Sequence, residues 1–348
     1  MHYPEDFPRN QWYVAAQSAE LGVDLISRTI LGDPICMYRT EQGAPVAMID
    51  QCLHRQMPLS MGRRTGDSIQ CGYHGIVFDS EGRGVRIPGQ SRVPSTCRVR
   101  TYPLFEKWGM VWIWPGQPEL ADESLVPDHH WFTDPGWATV GGKVYVDARA
   151  QLVNENLLDL SHVTFLHPET IGTEEVADTP TDPVEFTDAW VRVERHIPSA
   201  TIPPFHSKLM DIEGLVEREQ HAEWFAPGFH ITHLSTRSVT GGPKYVHKAV
   251  HMITPETNRT THYFWAITRD YRIDSDEVSR LWVEAIPHVF RQDIDAVEAI
   301  EKNILRYAPD HPVELNIAVD GGPLRCRKIM ETLIAEERGA VDGTRNTG

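Results

Sequence analysis

The sequence lacks several features that would place it in a common class of protein. It has no apolar run long enough to span a bilayer. Its first twenty residues carry Glu5, Asp6, Arg9 and Glu20 in place of the apolar stretch of a signal peptide. Positive charge is scarce, because 33 Lys and Arg face 49 Asp and Glu and give a formal net charge of −16. Nucleic-acid binding depends on neutralising phosphates, so we expect no nucleic-acid partner. Without an apolar span or a signal peptide, the expected location is the cytoplasm, with no membrane association.

Cysteine is also scarce, with five residues in a chain of 348. Five thiols spread over this length do not resemble the disulfide framework of a small secreted protein. The sequence also has no glycine-rich dinucleotide fingerprint after a strand. A reaction that consumes NADH would therefore need a reductase outside this chain.

The scarce positive charge is concentrated in residues 51–100. This window holds eight Arg against three acidic residues, a local balance of +5. It is either a solvated surface without a partner or a docking face for an acidic protein.

Apolar patterning divides the chain into two domains. Residues 1–118 show short strand-like runs separated by turn residues, which predicts an all-β domain. A connection rich in Pro and Asp follows at 119–141, and a second domain at 142–348. That domain has alternating strands, then helical periodicity over 276–306 and again over 324–337. The predicted fold class is α+β, with an antiparallel sheet packed against helices.

The most specific motif is a pair of short loops, Cys52-x-His54 and Cys71-x2-His74, with sixteen residues between them. A zinc finger pairs Cys with Cys and His with His, whereas each loop here offers one Cys and one His. That set suits a Rieske [2Fe–2S] centre, in which two Cys hold one iron and two His hold the other. We predict a Rieske cluster, with a zinc site as the alternative.

A second chemistry-bearing stretch runs from Asn156 to His167. Asp159 and His162 are three residues apart and would share one face of a helix. His162 and His167 are five apart, which points them about 140° apart on a regular helix. Both reach one metal ion only if the helix bends, bulges or ends near His167, and Pro168 favours an end there. The alternative is a buried helix with two hydrogen-bonded histidines.

The two Cys–His loops, followed by Asp-x2-His-x4-His, resemble the catalytic α subunits of the Rieske non-haem iron oxygenases, which hydroxylate aromatic rings. The chain length and the segments 10–15 and 156–162 are similar to those of vanillate and dicamba O-demethylase oxygenase components. The resemblance is strong at both metal motifs and weak in the strands between them. It implies a helix-grip-like catalytic domain after the Rieske domain.

The resemblance implies that His162 and His167 bind a mononuclear Fe(II) with one carboxylate. Asp293 matches the position of that carboxylate, and Asp295 is the alternative. On residue pattern alone, an acid at the edge of an apolar helix is more often simply solvated.

Two further residues take roles from the resemblance. Asp159 matches a bridging carboxylate that accepts hydrogen bonds from His162 and from a cluster histidine of a neighbouring subunit. Asn156, one turn earlier, is expected near the iron. The family arrangement implies a head-to-tail homotrimer, in which the cluster of one subunit supplies electrons to the iron of the next.

The expected function is that of a terminal oxygenase component. Electrons would come from NADH through a reductase and a ferredoxin, or a fused reductase, and the Arg-rich window is the expected docking face. The expected reaction is O2-dependent monooxygenation, by O-demethylation or hydroxylation, of a small aromatic and carboxylated substrate. The alternatives are cis-dihydroxylation of a ring and, in a different class, a Rieske electron carrier without oxygenase activity.

The substrate pocket is expected beside the iron, between the second-domain sheet and the long helix. His251 is the expected partner of a substrate carboxylate. Ordinary core packing is the alternative for every candidate. The candidates are Ile202, Phe205, His230, His251, Phe264, Trp282 and Ile286.

Overall fold

Two units of unequal size make up this computed structural model, which describes residues 6–307 and 314–345. The smaller unit comprises Arg9–Val126 with Thr254–Thr257, and the larger one contains Pro127–Ile253 and most of the chain from Asn258 onward. The outermost residues of both predicted domains, 1–5 and 346–348, lie outside the described residues. Strand β11 begins at Ala138, inside the connection predicted from the sequence.

The smaller unit is built from three antiparallel sheets, with the strand orders β1-β10-β9, β2-β3-β4 and β5-β6-β7-β8. Its strands are β1 Tyr13–Gln17, β2 Ile26–Ile30, β3 Asp33–Arg39, β4 Pro45–Ile49, β5 Arg63–Thr65, β6 Ser68–Gln70, β7 Val77–Phe78, β8 Gly84–Arg86, β9 Leu104–Lys107 and β10 Met110–Ile113. This confirms the predicted all-β N-terminal domain.

Two tight turns set the register of these sheets. Leu31 and Gly32 join β2 to β3 with φ of 50° and 80°, and Trp108 and Gly109 join β9 to β10 with φ of 50° and 81°. Two consecutive residues with positive φ are what a two-residue type I′ hairpin requires, since that turn matches the twist of the strands.

Short polar strands are the part of this unit that sequence patterning misses. The prediction did not include β2, β5, β6 or β9, because strands of three to five residues that are largely polar give no clear alternation. The strand predicted at residues 99–102 contributes only an isolated bridge between Met48 and Thr101.

The larger unit is organised around one seven-stranded antiparallel sheet in the order β11-β17-β16-β15-β14-β13-β12. Inward positions alternate with outward ones along its strands, and many inward side chains are apolar, as in the buried Val216, Ala222 and Trp224 of β14. Its strands are β11 Ala138–Val146, β12 Glu185–Phe186, β13 Trp190–Thr201, β14 Leu215–Phe225, β15 Phe229–Ser238, β16 Tyr245–Thr257 and β17 Thr260–Arg269.

A long helix, α5, packs against this sheet. It buries a stripe that includes Trp282, Ile286 and Phe290, and these residues share one core cluster with Val146 and Tyr263 of the sheet. The helices are α1 Ala150–Leu158, α2 Val163–Leu166, α3 Glu174–Asp178, α4 Pro204–Met210, α5 Asp276–Tyr307 and α6 Gly321–Arg345. The predicted α+β class, an antiparallel sheet with helices against it, is confirmed.

The helix predicted over residues 156–167 is interrupted, at Asp159 rather than near His167. Helix α1 ends at Leu158, and Asp159 is extended, with φ −88° and ψ 108°. The Asp159 carboxylate accepts a hydrogen bond from the backbone N–H of Ser161 at 2.7 Å. A local bond of this kind competes with helical hydrogen bonding, so the helix stops and restarts as α2.

Among the residues that the structure describes, no helix combines the length and apolar character needed to cross a lipid bilayer.

Candidate active site

Three potential metal ligands meet in the larger unit. His162 and His167 flank α2, and Asp293 comes from α5. The Asp293 Oδ1 lies 3.3 Å from His162 Nε2 and 3.1 Å from His167 Nε2. One ligand atom from each residue lies within 4.8 Å of the others, so the three can hold a single metal ion.

The break in the predicted helix is what brings the two histidines together. His162 directly precedes the one-turn helix α2 and His167 directly follows it. Their ring centroids are 5.4 Å apart, with the rings inclined at 69°. Helix α1 ends before His162, so the 140° divergence expected on one regular helix does not arise.

Gln292 selects the nitrogen with which His167 faces Asp293. The His167 Nδ1 lies 2.8 Å from the Gln292 Oε1, an oxygen that can only accept a hydrogen bond. Nδ1 therefore carries a proton, and Nε2 is the nitrogen that faces Asp293 and would bind a metal ion. A neutral imidazole held in this tautomer is a metal ligand in its binding form.

Burial and hydrogen bonding act in opposite directions on the acid–base balance of this site. Burial by itself would raise the pKa of Asp293, but hydrogen bonds from His162 and His167 outweigh it and lower the pKa to about 2. Burial favours neutral His167, and the Asp293 carboxylate raises the pKa of His167 above its ordinary value. Asp293 is thus ionised at neutral pH, as a metal-binding carboxylate must be.

Asp159 and Asn156 lie next to these ligands. The Asp159 Oδ2 is 3.8 Å from His162 Nδ1, a nitrogen that is buried without a hydrogen-bond partner among the described residues. The Asn156 Nδ2 is 3.4 Å from the Asp293 Oδ1. Asp295, the alternative carboxylate, is instead exposed and paired with Arg291.

The two Cys–His loops of the smaller unit have the same backbone hydrogen bonding. In the first loop, the Gln56 N–H donates to the Cys52 carbonyl at 2.8 Å, and the Cys52 N–H donates to the Met57 carbonyl at 2.9 Å. In the second, the Gly75 N–H donates to the Cys71 carbonyl at 3.1 Å, and the Cys71 N–H donates to Ile76 at 2.8 Å. The two ligand pairs are therefore presented by equivalent turns.

The four side chains of these loops fit a [2Fe–2S] cluster of the Rieske type. Cys52 and Cys71 are buried free thiols that contact each other, and His54 and His74 are exposed. The Nδ1 atoms of the two histidines lie 3.1 Å apart, close enough for one iron to bind both. Burial raises the pKa of Cys52 to about 11, so the thiolate needs a cation beside it.

A cavity of about 110 Å³ opens onto the Asp293 site. Of the predicted substrate residues, His251, Trp282 and Ile286 line it, as do Asn156 and Asp159. Ile202, Phe205, His230 and Phe264 do not, although the Phe205 ring lies 5.0 Å from the Trp282 ring. His230 instead contacts the Asn154 Oδ1 at 2.9 Å. The His251 Nδ1 is held by the Tyr263 hydroxyl at 2.7 Å.

Several residues of the site were missed by sequence reasoning. Gln292 adjoins a predicted ligand and could have been found from that position alone. Arg218 and Gln220 stand at inward positions of β14, between the buried Val216 and Ala222. In an alternating strand, polar residues at positions that are otherwise apolar can be recognised in the sequence, and they indicate a candidate site. His206 and His247, which also line the cavity, carry no comparable signal.

Both units of the chain are similar to known proteins. Residues 11–103 match the Rieske [2Fe-2S] domain, and residues 146–336 match the vanillate O-demethylase oxygenase C-terminal domain. The iron-sulfur subunit of the toluene-4-sulfonate monooxygenase system of Comamonas testosteroni is 33% identical, over 96% of this chain and 99% of that subunit. The vanillate O-demethylase oxygenase subunit of a Pseudomonas sp. is 31% identical, over 97% of both chains.

Solved structures give the same assignment. The crystal structure of dicamba monooxygenase with non-haem iron and dicamba superposes with a TM-score of 0.84 at 30% identity. The match covers 96% of this chain and 99% of the other. The architecture, the cluster domain and the catalytic domain are thus shared along almost the whole length.

Proposed function

The chain belongs to the Rieske non-haem iron oxygenases and is the oxygenase component of a multicomponent system, and we propose that it monooxygenates a small aromatic acid. The observation that carries this proposal is a cavity that opens onto His162, His167 and Asp293 and is lined half by apolar and half by polar side chains. Relatives named for toluene-4-sulfonate, vanillate and dicamba support an aromatic substrate.

In this proposal His162, His167 and Asp293 hold one Fe(II), and Cys52, His54, Cys71 and His74 hold the [2Fe–2S] cluster. When bound, the iron supplies O2 activation and the cluster supplies electrons, which protein side chains alone do not provide.

The protein's own side chains orient the ligands and shelter the substrate. Gln292 fixes the tautomer of His167, and Asp159 faces the otherwise unpartnered Nδ1 of His162. Apolar residues such as Leu234, Ala249 and Ile286 exclude water from the cavity and pack against an aromatic ring.

A head-to-tail trimer is the second part of the proposal. Beside Asp159 and His162 lies a groove of about 630 Å³, whose lining includes Phe165 and Leu315, 78% and 88% exposed. Tyr73, next to the cluster histidine His74, is 63% exposed. Large exposed apolar side chains mark interaction surfaces. An exposed groove beside the iron ligands and an exposed tyrosine beside the cluster support a heterologous contact, of the kind that can close into a ring.

The electron donor is proposed to be a ferredoxin, served by an NADH-dependent reductase, that docks on the Arg-rich window. Arg64 donates hydrogen bonds to the Val23 and Gly66 carbonyls, whereas Arg63 is exposed and, within the described part of the chain, hydrogen-bonds through its side chain to Gln70 alone. Arg63→Glu should raise the KM for ferredoxin without changing kcat, because rim charges act on association. Arg280→Glu, exposed on α5, is the matched control. An unchanged KM for the Arg63 variant would refute this docking face.

The experiment that tests the proposed reaction is a turnover assay of iron-loaded protein with a surrogate ferredoxin, its reductase, NADH and O2. The panel contains methoxylated and methylated aromatic acids and unsubstituted ones. Substrate-dependent formaldehyde would establish O-demethylation, and hydroxylated product without formaldehyde would establish hydroxylation. A cis-diol as the main product would contradict monooxygenation.

Iron content separates the oxygenase from a pure electron carrier. An oxygenase holds about three irons per chain and a carrier about two, given one [2Fe–2S] cluster in each. The second ligand set, within 4.8 Å, favours the oxygenase.

A further inference from the structure

Arg218 is a buried cation that makes no ion pair within the part of the chain that the structure describes. It occupies an inward position of β14, is 2% exposed and lines the cavity that opens onto Asp293. Its Nη1 is buried without a hydrogen-bond partner, and no described carboxylate lies within salt-bridge distance of it. Burial lowers the pKa of Arg218 to about 10, which leaves the guanidinium charged at neutral pH. A buried, unpaired charge is strongly unfavourable unless something pairs with it.

The surroundings of Arg218 are polar, and the acid that acts on its charge, Glu175, lies beyond salt-bridge distance. Gln220 and His247 line the same cavity, and among the described residues the buried Gln220 Oε1 and His247 Nδ1 have no hydrogen-bond partner. Burial and the nearby Arg218 lower the pKa of His247 to about 3, so its imidazole is neutral. Three unsatisfied polar groups on one cavity wall are a site prepared for a polar ligand group.

This polar wall lies at the end of the cavity away from the iron ligands. His247 and His206 both pack on Trp282, with ring centroids 5.1 and 6.2 Å away. Trp282 and Asp293 are eleven residues apart on α5, roughly 16 Å at 1.5 Å per residue. Apolar side chains line the cavity between the two ends, including Leu234, Ala249 and Ile286.

We propose that Arg218 binds the anionic group of an elongated aromatic substrate, carboxylate or sulfonate, whose opposite end is presented to His162, His167 and Asp293. This inference rests on the proposed function and narrows it to aromatic anions whose reacting group lies para to, or otherwise far from, the charge. A guanidinium donates two parallel hydrogen bonds to either type of oxyanion. Only N–H groups can donate to an anion, so the amide nitrogen of Gln220 and the ring N–H of the neutral His247 supply its further hydrogen bonds.

The assignment differs from the expectation that His251 pairs with the substrate carboxylate. Burial lowers the pKa of His251 to about 4, so the imidazole is uncharged, and the Tyr263 hydroxyl occupies its Nδ1. Arg218 carries a charge and its Nη1 is free to donate, which makes it the stronger anion site.

The test measures ligand binding by calorimetry on the cluster- and iron-loaded protein, without turnover. The probes are 4-methylbenzenesulfonate, 4-methylbenzoate and the neutral 4-methylbenzamide. Arg218→Gln should weaken both anions about 100-fold and leave the amide unchanged, while Arg218→Lys keeps most of the affinity. Equal affinity of wild type and Arg218→Gln for the anions, or no binding of either anion to wild type at millimolar concentration, would overturn the inference. Tight binding of only one anion identifies the oxyanion type.

A stability measurement separates an anion anchor from a structural arginine. Without ligand, Arg218→Met should raise Tm, because it removes an unpaired buried charge. Arg327, 5% exposed, is the matched control, since it pairs with Glu155 and Glu314 and its Met variant should lower Tm. A fall in Tm for Arg218→Met comparable with that of Arg327→Met would contradict the proposal.

Failure of this inference is distinguishable from failure of the proposed function. Anions that bind through Arg218 but give no oxygenated product would refute the oxygenase proposal and leave the anion site intact. Turnover of aromatic acids that is unaffected by Arg218→Gln would do the reverse.

Discussion

At the scale of single residues, Gln292 shows how one hydrogen bond prepares a metal ligand. Gln292→Leu removes the acceptor from His167 Nδ1, 2.8 Å away, and frees the ring to change tautomer. We expect the affinity for the mononuclear iron to fall about 10- to 100-fold. Chelator competition, with the cluster absorption as an internal reference, measures this. Gln292→Glu keeps an acceptor and should keep the iron, and an iron affinity of Gln292→Leu equal to wild type would contradict the role.

The residue scale is also where sequence reasoning is uneven. Ligands in short motifs, such as Cys52 with His54, can be predicted because the chemistry requires fixed residue types at fixed spacing. Asp293 stands far from His162 in sequence, and only the resemblance to a family pointed to it. The inward position of Arg218 on β14 can be read from the strand's alternation, but it was missed because only the folded arrangement shows that Arg218 has no ion pair among the described residues.

At the scale of elements, the two cluster loops test how backbone conformation holds a cofactor. Gln56 and Gly75 occupy the same position in the two turns and both have positive φ, 58° and 72°. A Cβ at Gly75 would also lie 3.0 Å from the Gln70 side chain and 3.1 Å from Pro88. Only one of the two equivalent positions therefore carries the residue that suits this conformation.

This difference predicts opposite outcomes for two substitutions. Gly75→Ala should destabilise the smaller unit by about 1–2 kcal/mol, because a side chain in the left-handed region is strained. Gln56→Gly should raise its stability by about 0.5 kcal/mol. Glycine relieves the strain of the left-handed conformation, but part of that gain is offset by the larger backbone entropy that glycine loses on folding. Calorimetric unfolding of the loaded protein gives both values. Gly75→Ala at or above the wild-type Tm would show that the turn does not need glycine.

Elements with strong periodicity were predicted from the sequence, and elements defined by local polar contacts were not. The helix at 276–306 was found as Asp276–Tyr307, since its apolar stripe runs over many turns. The predicted helix at 156–167 breaks because the Asp159 carboxylate bonds the Ser161 N–H, a choice that residue type alone does not determine.

At the scale of the whole molecule, the proposed trimer predicts that two inactive variants restore each other. His74→Ala removes a cluster ligand and His162→Ala an iron ligand, so each homotrimer should be inactive. The two variants are co-expressed with different tags, and mixed trimers are purified through both tags. In such a trimer, the intact cluster of one subunit can face the intact iron site of its neighbour. Such trimers should regain a measurable fraction of wild-type turnover. Mixed assemblies as inactive as the homotrimers would show that electrons stay within one chain.

The measurement that tests the central claim most directly is the iron content and turnover of His162→Ala. We expect about two irons per chain instead of about three, with unchanged cluster absorption. Turnover should fall more than about 100-fold, because losing an iron ligand costs more than losing a residue that only hydrogen-bonds to a ligand. His196→Ala, an exposed histidine that contacts Glu217, is the control and should match wild type. A His162→Ala variant that keeps three irons and full turnover would contradict the assignment of the iron site.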